Sequence, residues 1–411
     1  MSKILIVGAG QAGLQLALGL VGDGHDVTVV SNRTPDDIRT GRVMSSQCMF
    51  DAALEHEREL GIDLWEDECP DIEGISLAVP APDGSGKAID WASRLDRPAQ
   101  SVDQRLKMPA LMEKLEERGG RLVIHDVGVE DLERYTEQND LVIVAAGKGE
   151  IVSLFERDAE RSPYDRPMRA LALTYVTGMT PRAEFSAVCF NLIPTVGEYF
   201  VFPALTTTGA CEIMVFEGVP GGPMDCWADV SSPDEHLAKS KWILETFLPW
   251  EAERCNDVEL TDGNGILVGR FPPTVRKPVA ELPSGRLVLG LADAIMLNDP
   301  ITGQGSNNAA KMAAAFLTAI RAHGDAPYDR AFMERTFETF WQSYGQFATT
   351  WTNALLSPPP PHVLQLLGAG NSSREIAHRF VNGFDNPVDF FDWFMSPDKA
   401  ETYLAEVGAA T

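Results

Sequence analysis

The sequence predicts an α/β protein in which a Rossmann-like parallel sheet carries an inserted, mainly antiparallel β-sheet and a helical C-terminus. Three observations lead there. Lys3–Val7 (KILIV) is a short, nearly unbroken apolar run, which suits a central parallel strand covered on both faces. A glycine turn follows it. Then come a helical pattern (Leu14, Leu16, Ala17, Leu20, Val21) closed by Gly22 and Gly24, and a second apolar run at Asp26–Val30 (DVTVV). That is a βαβ unit. Between 170 and 275 the texture changes to alternating aromatic and β-branched runs, such as Ala187–Phe190, Glu198–Phe202 and Glu212–Phe216, which read as antiparallel strands.

The other elements follow in order. Arg121–His125 (RLVIH) and Leu141–Ala145 (LVIVA) read as further parallel strands. Arg286–Leu291 (RLVLGL) returns the chain to the first sheet, and a helix is expected over Ser306–Ala322. After Pro327 the pattern is helical, broken at Pro358–Pro361 because proline lacks the N–H a helix interior needs. A length of 411 residues suits two interlocked domains. The expected division is 1–70, 95–170 and 276–325 for the Rossmann-like domain, 71–94 and 171–275 for the inserted domain, and 326–411 for the helical region.

Composition excludes several partners. The formal net charge of −26 repels phosphate backbones and anionic membranes, so neither nucleic acid nor a membrane is expected as a partner. No stretch reaches the ~20 apolar residues of a membrane span. The apolar opening, Met1–Leu20, carries glycines at 8, 10 and 13 and no small-residue cleavage site, so it reads as a strand and a helix rather than a signal peptide. The six cysteines (Cys48, Cys69, Cys189, Cys211, Cys226, Cys255) lack any C-x-x-C spacing. They are expected to be reduced thiols of a cytoplasmic protein, with no metal site. The seven histidines lie apart, and none is assigned a catalytic role. Among the 60 carboxylates no pair stands out from a solvated acidic surface.

Two constellations carry chemistry. The first is Gly8-Ala9-Gly10-Gln11-Ala12-Gly13, a G-x-G-x-x-G that follows a strand and opens a helix. Gly8 permits the turn, Gly10 lets the backbone approach a pyrophosphate, and Gly13 lets the helix pack on the strand. The acid usually found at the end of the next strand is absent. Ser31-Asn32-Arg33 stands there, with Ser31 or Asn32 able to bond a ribose and Arg33 able to reach phosphate or cover adenine. This weakens a plain NAD reading. The second constellation is Gly290-Leu291-Ala292-Asp293, Asp299-Pro300, Gly303-Gln304-Gly305 and Asn307-Asn308 at a helix start. Asp293 at a strand end could accept from a ribityl hydroxyl, and the Gly303–Asn308 turn could offer N–H groups to a flavin edge.

With these motifs on the page the chain resembles the FAD-dependent monooxygenases of the para-hydroxybenzoate hydroxylase fold. It is more closely similar to the styrene and indole monooxygenases that work with a separate flavin reductase. The likeness runs through GAGQAGL at the start, SVDQRL at 101–106, GLADAIMLNDPITGQGSNNA in the second half and TTWTNALLS at 349–357. It implies that Gly8, Gly10 and Gly13 hold the FAD pyrophosphate and that Arg42 and Arg105 support the flavin. It also implies that Asp293 holds the ribityl or phosphate portion, and that Pro300, Gly303, Gly305, Asn307 and Asn308 border the isoalloxazine. Single-component relatives carry an Asp-Gly motif where this chain has Ala146-Gly147-Lys148-Gly149. Its absence implies that FAD arrives already reduced from an NADH-dependent flavin reductase.

The styrene and indole branches differ at six pocket positions, here Ser45, Gln47, Met49, Ile72, Ile75 and Ala99. The styrene type would have Asn, Val, His, Tyr, His and Ser, and all six residues match the indole pattern instead. Met49, Ile72 and Ile75 would form an apolar slot for a flat bicycle, with Gln47 or Ser45 accepting from the indole N–H. Pro300 and Gln304 of the flavin turn complete the expected substrate site. The resemblance implies that reduced FAD and O2, rather than any side chain, supply the oxidant. It would form an epoxide at the indole C2–C3 bond that rearranges to indoxyl and, in air, indigo. Relatives suggest a homodimer. Other readings remain: styrene or another vinyl-arene as substrate, an indole-bearing natural product, an NAD(P)-linked dehydrogenase, or a non-catalytic flavin-binding protein.

Overall fold

The computed structural model describes residues 1–147 and 149–409. Lys148, in the segment that replaces the Asp-Gly motif, lies outside the described residues. In chain order the strands are β1 (Lys3–Val7), β2 (Asp26–Ser31), β3 (Ile72–Pro80), β4 (Lys87–Ala99), β5 (Arg121–Ile124), β6 (Leu141–Val144), β7 (Ala170–Thr177) and β8 (Ala187–Ile193). They continue with β9 (Gly197–Thr206), β10 (Gly209–Gly218), β11 (Glu259–Leu260), β12 (Ile266–Gly269), β13 (Thr274–Val275), β14 (Val279–Glu281), β15 (Leu287–Gly290) and β16 (Met296–Leu297).

The first sheet is six-stranded, in the order β14-β15-β6-β1-β2-β5. Its pairings are parallel except β14 on β15. Ile4, Leu5, Ile6 and Val7 are all buried because helices cover both faces, which is why β1 reads as an unbroken apolar run. Helix α1 (Gln11–Gly22) packs along the helix Gln304–His323. Gln15 Nε2 donates to the Ala310 carbonyl at 2.9 Å, and Gly19 abuts Leu317. Contacts that advance in the same sense along both helices make them parallel, so their N-termini open on the same side of the sheet.

The second sheet runs β11-β7-β10-β9-β8-β3-β4, with β12 also on β7. It is antiparallel except where β3 meets β8. Strand alternation separates two cores. Phe200, Phe202, Ile213 and Val215 face Trp351, Phe380, Phe390 and Trp393 of the C-terminal region. Tyr199, Val201, Met214 and Phe216 face Ile243 and Leu244 of the helix Pro233–Phe247. The antiparallel texture between 170 and 275 is therefore one sheet buried on both sides.

The β3–β4 hairpin shows no clear period in the sequence. β4 is the edge strand, and Asp90, Arg94, Asp96 and Arg97 on it are exposed. Such edge charges protect a sheet from further pairing and hide the alternation. β4 also runs through position 95, where the expected division returns to the first domain. In the C-terminal region the helix Gln346–Leu355 ends before the proline run, and Pro361 is the first residue of the next helix, Pro361–Ala369. Among the described residues no helix is long and apolar enough to cross a membrane.

Candidate functional site

The two glycine-bearing constellations meet at the carboxyl ends of β1, β6 and β15. Gly8 leaves β1 with φ +120° and donates its N–H to the Val30 carbonyl at 2.8 Å. A Cβ there would stand 2.8 Å from backbone atoms of Ala145 and Ala146 at the end of β6. A Cβ on Gly13 would run into the Gly8 carbonyl oxygen, so α1 and β1 meet backbone to backbone. Gly10 differs, because a Cβ there would meet nothing within 4 Å. It caps α1 without a side-chain hydrogen bond, leaving the first N–H groups of the helix and open space beside them.

The second constellation forms the other side. Leu291 N–H donates to the Val144 carbonyl at 2.9 Å, extending β15 along β6. Ala292 then takes a left-handed conformation, φ +52°, which is costly for a residue with a Cβ. The turn brings exposed Asp293 against Gly147, where a Cβ would lie 2.6 Å from the Asp293 Cβ. Gly303 and Gly305, like Gly10, border open space. Asn307 is committed within the fold: its Oδ1 accepts from Phe50 N–H at 2.9 Å, and its Nδ2 donates to the carbonyls of Cys48 and Gly303. Asn308, also buried, has both amide atoms without a partner. Two parallel helix N-termini, three glycines facing open space and an unpartnered buried carboxamide fit an extended dinucleotide with a polar ring edge, as FAD has.

Other expected cofactor residues sit differently. The Ser31 hydroxyl turns back to donate to the Arg33 carbonyl at 2.7 Å, while Asn32, Arg33 and Arg42 are exposed. The Arg33 guanidinium rests on the Met44 sulfur at 2.8 Å. Arg105 is buried and engaged elsewhere. It donates to Asp103 (2.9 Å), forks onto both oxygens of Asp262 (3.0 Å each) and reaches Thr206 Oγ1 (3.1 Å). Burial opposes the Asp262 charge, but the Arg105 hydrogen bonds outweigh it and hold that carboxyl below the usual range. Arg105 thus joins the Asp103 turn to the Asp262 loop, and any support it gives a flavin runs through them.

The six pocket positions come together in part. Ile72 pairs with Ala99, and Met49 forms a two-bond backbone bridge with the adjacent Gln100. The β3–β4 register shifts between Ile72 and Gly74, and Ile72 and Ile75, three apart, lie in the same apolar core as Ala99. The Met49 side chain leaves that slot for Ala53, Leu54 and Ala310, with the buried Lys107 ammonium 3.3 Å from its sulfur. Gln104 Nε2 donates to Ser45 Oγ (2.8 Å), which donates to Gln47 Oε1 (3.4 Å). The group left buried without a partner is Gln47 Nε2, a donor, where an acceptor was expected. Pro300 opens the flavin turn, but the Gln304 carboxamide is held inside the fold. It donates to the Phe384 carbonyl (2.8 Å) and accepts from the Tyr344 hydroxyl (2.9 Å).

Some residues escaped the sequence reading. Gln104 and Tyr175, whose hydroxyl donates to the Ser45 carbonyl at 2.9 Å, fix the Ser45–Gln47 stretch. Nothing local marks either. The expectation that no carboxylates stand apart from the solvated surface is overturned. Glu198, Glu217 and Asp299 are buried together beside Arg169, because β9, β10 and the flavin turn converge there from distant positions. The neighbouring Asp-Pro dipeptide was the one available signal.

A family model for a candidate substrate-binding domain of styrene monooxygenase A matches residues 147–254. Styrene monooxygenase StyA of Pseudomonas fluorescens is 34% identical over 406 residues, spanning 97% of this chain and 96% of that protein. A StyA from a Pseudomonas species is 34% identical over 413 residues, covering 98% of each. Among solved structures, the flavin-dependent brominase Bmp2 superposes with a TM-score of 0.61 at 14% identity, over 98% of this chain and 99% of Bmp2. At that identity the likeness shows the fold, which is that of para-hydroxybenzoate hydroxylase.

Proposed function

Because the chain belongs to the styrene monooxygenase family, we propose that it is the oxygenase component of a two-component system that epoxidises the C2–C3 bond of indole. It is a FAD-dependent monooxygenase. The finer assignment rests on the indole-type set at the six pocket positions, in particular the aliphatic Ile72, Ile75 and Ala99 in one apolar core. The unpartnered Gln47 Nε2 supports it too, since an amide N–H can lie against the π face of an electron-rich ring.

Gly8, Gly10 and Gly13 would hold the pyrophosphate, Asp293 the ribityl chain, and the turn from Pro300 to Asn308 the isoalloxazine. Bound in reduced form, FAD supplies two electrons and, with O2, an electrophilic oxygen atom, the second oxygen leaving as water. The protein holds the ring double bond near that oxygen and keeps water out. The apolar residues at 72, 75 and 99 would do the first, and the turn at 300–305, anchored through Asp299, Thr302 and Gln304, would do the second. An NADH-dependent flavin reductase as supplier of reduced FAD, a homodimer and a cytoplasmic location belong to the same proposal. The lack of an Asp-Gly motif after β6 supports the reductase.

The test is turnover with FAD, NADH and a flavin reductase, with indole and styrene in parallel. Blue product from indole, and no useful NADH oxidation when the reductase is omitted, is the expected result. Styrene is the second reading, favoured by the names of the two relatives. Rapid styrene epoxidation with indole left unconsumed would establish it instead.

A further inference from the structure

We propose that Asp299 and Glu217 share one proton and that this shared proton is a positioning element for the Pro300–Gly305 turn during oxygenation. The inference rests on the reading of that turn as the flavin border. Glu198 and Glu217 lie opposite each other on β9 and β10, on the sheet face that looks toward the turn. Arg169, just before β7, is the cation at this spot, and it is committed to Glu198 by a fork (Nε–Oε2 2.6 Å, Nη2–Oε1 2.9 Å). Glu217 and Asp299 are then left without a cation of their own. Both Glu217 carboxyl oxygens are buried, and neither has a donor from any other residue. The neighbour it faces is Asp299.

Two buried carboxylates in contact cannot both ionise, and a proton held by one and accepted by the other satisfies both. Burial first, then the charges of Asp299 and Glu198, hold the Glu217 carboxyl far above its ordinary range. Burial likewise raises Asp299, against the Ile301 N–H and Arg169. Asp299 already accepts from the Ile301 N–H while Glu217 has no other donor, so the arrangement that satisfies both carboxyls puts the proton on Glu217 and donates it to Asp299.

The link to the turn is direct. Asp299 caps Pro300–Thr302, its Oδ1 accepting from Ile301 N–H at 3.2 Å. The turn is pinned again by Thr302 Oγ1 to Thr352 Oγ1 at 2.6 Å, and by Gln304 to the Phe384 carbonyl. Of these three anchors only Asp299 titrates. Removing the shared proton sets two negative charges against each other and loosens the first anchor.

Two readouts test this. The first needs no flavin: thermal unfolding of the wild type and Glu217→Gln from pH 5 to pH 9. A glutamine amide donates to Asp299 at every pH. The wild type is expected to lose stability relative to E217Q as pH rises, the two converging at pH 5, and parallel curves would overturn the shared proton. The second is coupling, measured as epoxide formed against hydrogen peroxide released per reduced FAD consumed. Wild-type coupling should fall several-fold from pH 6 to pH 9, E217Q should hold its pH 6 level throughout, and Glu217→Ala should be poorly coupled at every pH. If coupling in wild type and E217Q shares one pH profile, the positioning role is overturned. If the wild type oxygenates neither indole nor styrene, the proposed function fails, while the first readout still judges the pair. E217Q, which keeps the volume and the hydrogen bond, covers the case in which E217A does not fold.

Discussion

Gly13 stands so close to Gly8 that a methyl group on it would overlap the Gly8 carbonyl oxygen. Gly10, three residues earlier, has open space where its methyl would go. The motif thus contains two glycines that the fold requires, Gly8 and Gly13, and one, Gly10, that the fold does not. Gly13→Ala should destabilise the flavin-free protein by about 1–3 kcal/mol, the usual cost of overpacking. Gly10→Ala should leave that stability within ~0.5 kcal/mol and weaken FAD binding at least about tenfold. Thermal melts without FAD and FAD titrations separate them. Equal melting losses for both would contradict the geometry.

Asn308 buries an amide whose nitrogen and oxygen have no partner. An unsatisfied buried amide costs about 1–3 kcal/mol, and an apolar group of the same shape removes that cost. Asn308→Leu should therefore match or exceed the wild type in flavin-free stability while binding FAD more weakly. A loss of stability with unchanged FAD affinity would mean that the amide serves the fold alone.

Arg105 is buried against Asp103, itself buried, and Arg105→Met would leave that carboxylate with only the Thr206 hydroxyl and the Arg105 main-chain N–H. Removing one partner of a buried pair costs about 3–5 kcal/mol. Arg105→Lys should fall between, because an ammonium cannot fork onto both oxygens of Asp262. Urea denaturation of the two variants measures both. A loss under about 1 kcal/mol for R105M would show that the cluster is not the joint described above.

His236 is buried against Trp227, ring centroids 4.6 Å apart, and burial pushes its pKa down from 6.5 to about 4. The unfolded chain therefore takes up a proton that the folded protein refuses. This stabilising contribution is complete above pH ~6.5 and is lost as pH falls toward 4. The difference amounts to about 2 kcal/mol at pH 5. His236→Phe should lose that much less than the wild type between pH 7 and pH 5, read by denaturant unfolding at each pH. Identical acid limbs would show that His236 is protonated in the fold.

Elements whose evidence is local were legible. The β1–turn–α1–β2 unit declares itself within Lys3–Ser31, because tight backbone approach at Gly8 and Gly13 admits no other residue. The antiparallel runs at Glu198–Phe202 and Glu212–Phe216 also read correctly, since aromatic and β-branched residues fill strands that are covered on both faces. β4 did not, because an edge strand carries charges that mask its period. The shared core of Ile72 and Ile75 was equally hidden, three residues being the wrong spacing for a regular strand face.

By itself the sequence determined the βαβ unit with its glycine turn, the apolar runs of β1, β2, β5, β6 and β15 and the break at Pro358–Pro361, all properties of neighbouring residues. The tertiary structure alone decided which polar groups were taken. It withdrew Arg105, Asn307 and Gln304 into the fold, left Asn308 and the Gln47 amide nitrogen without partners, turned Met49 away from Ile72, and set Glu217 against Asp299. Partnership between residues far apart in the chain depends on burial and on what already occupies each hydrogen bond, and neither quantity is written in the spacing of residues along the chain.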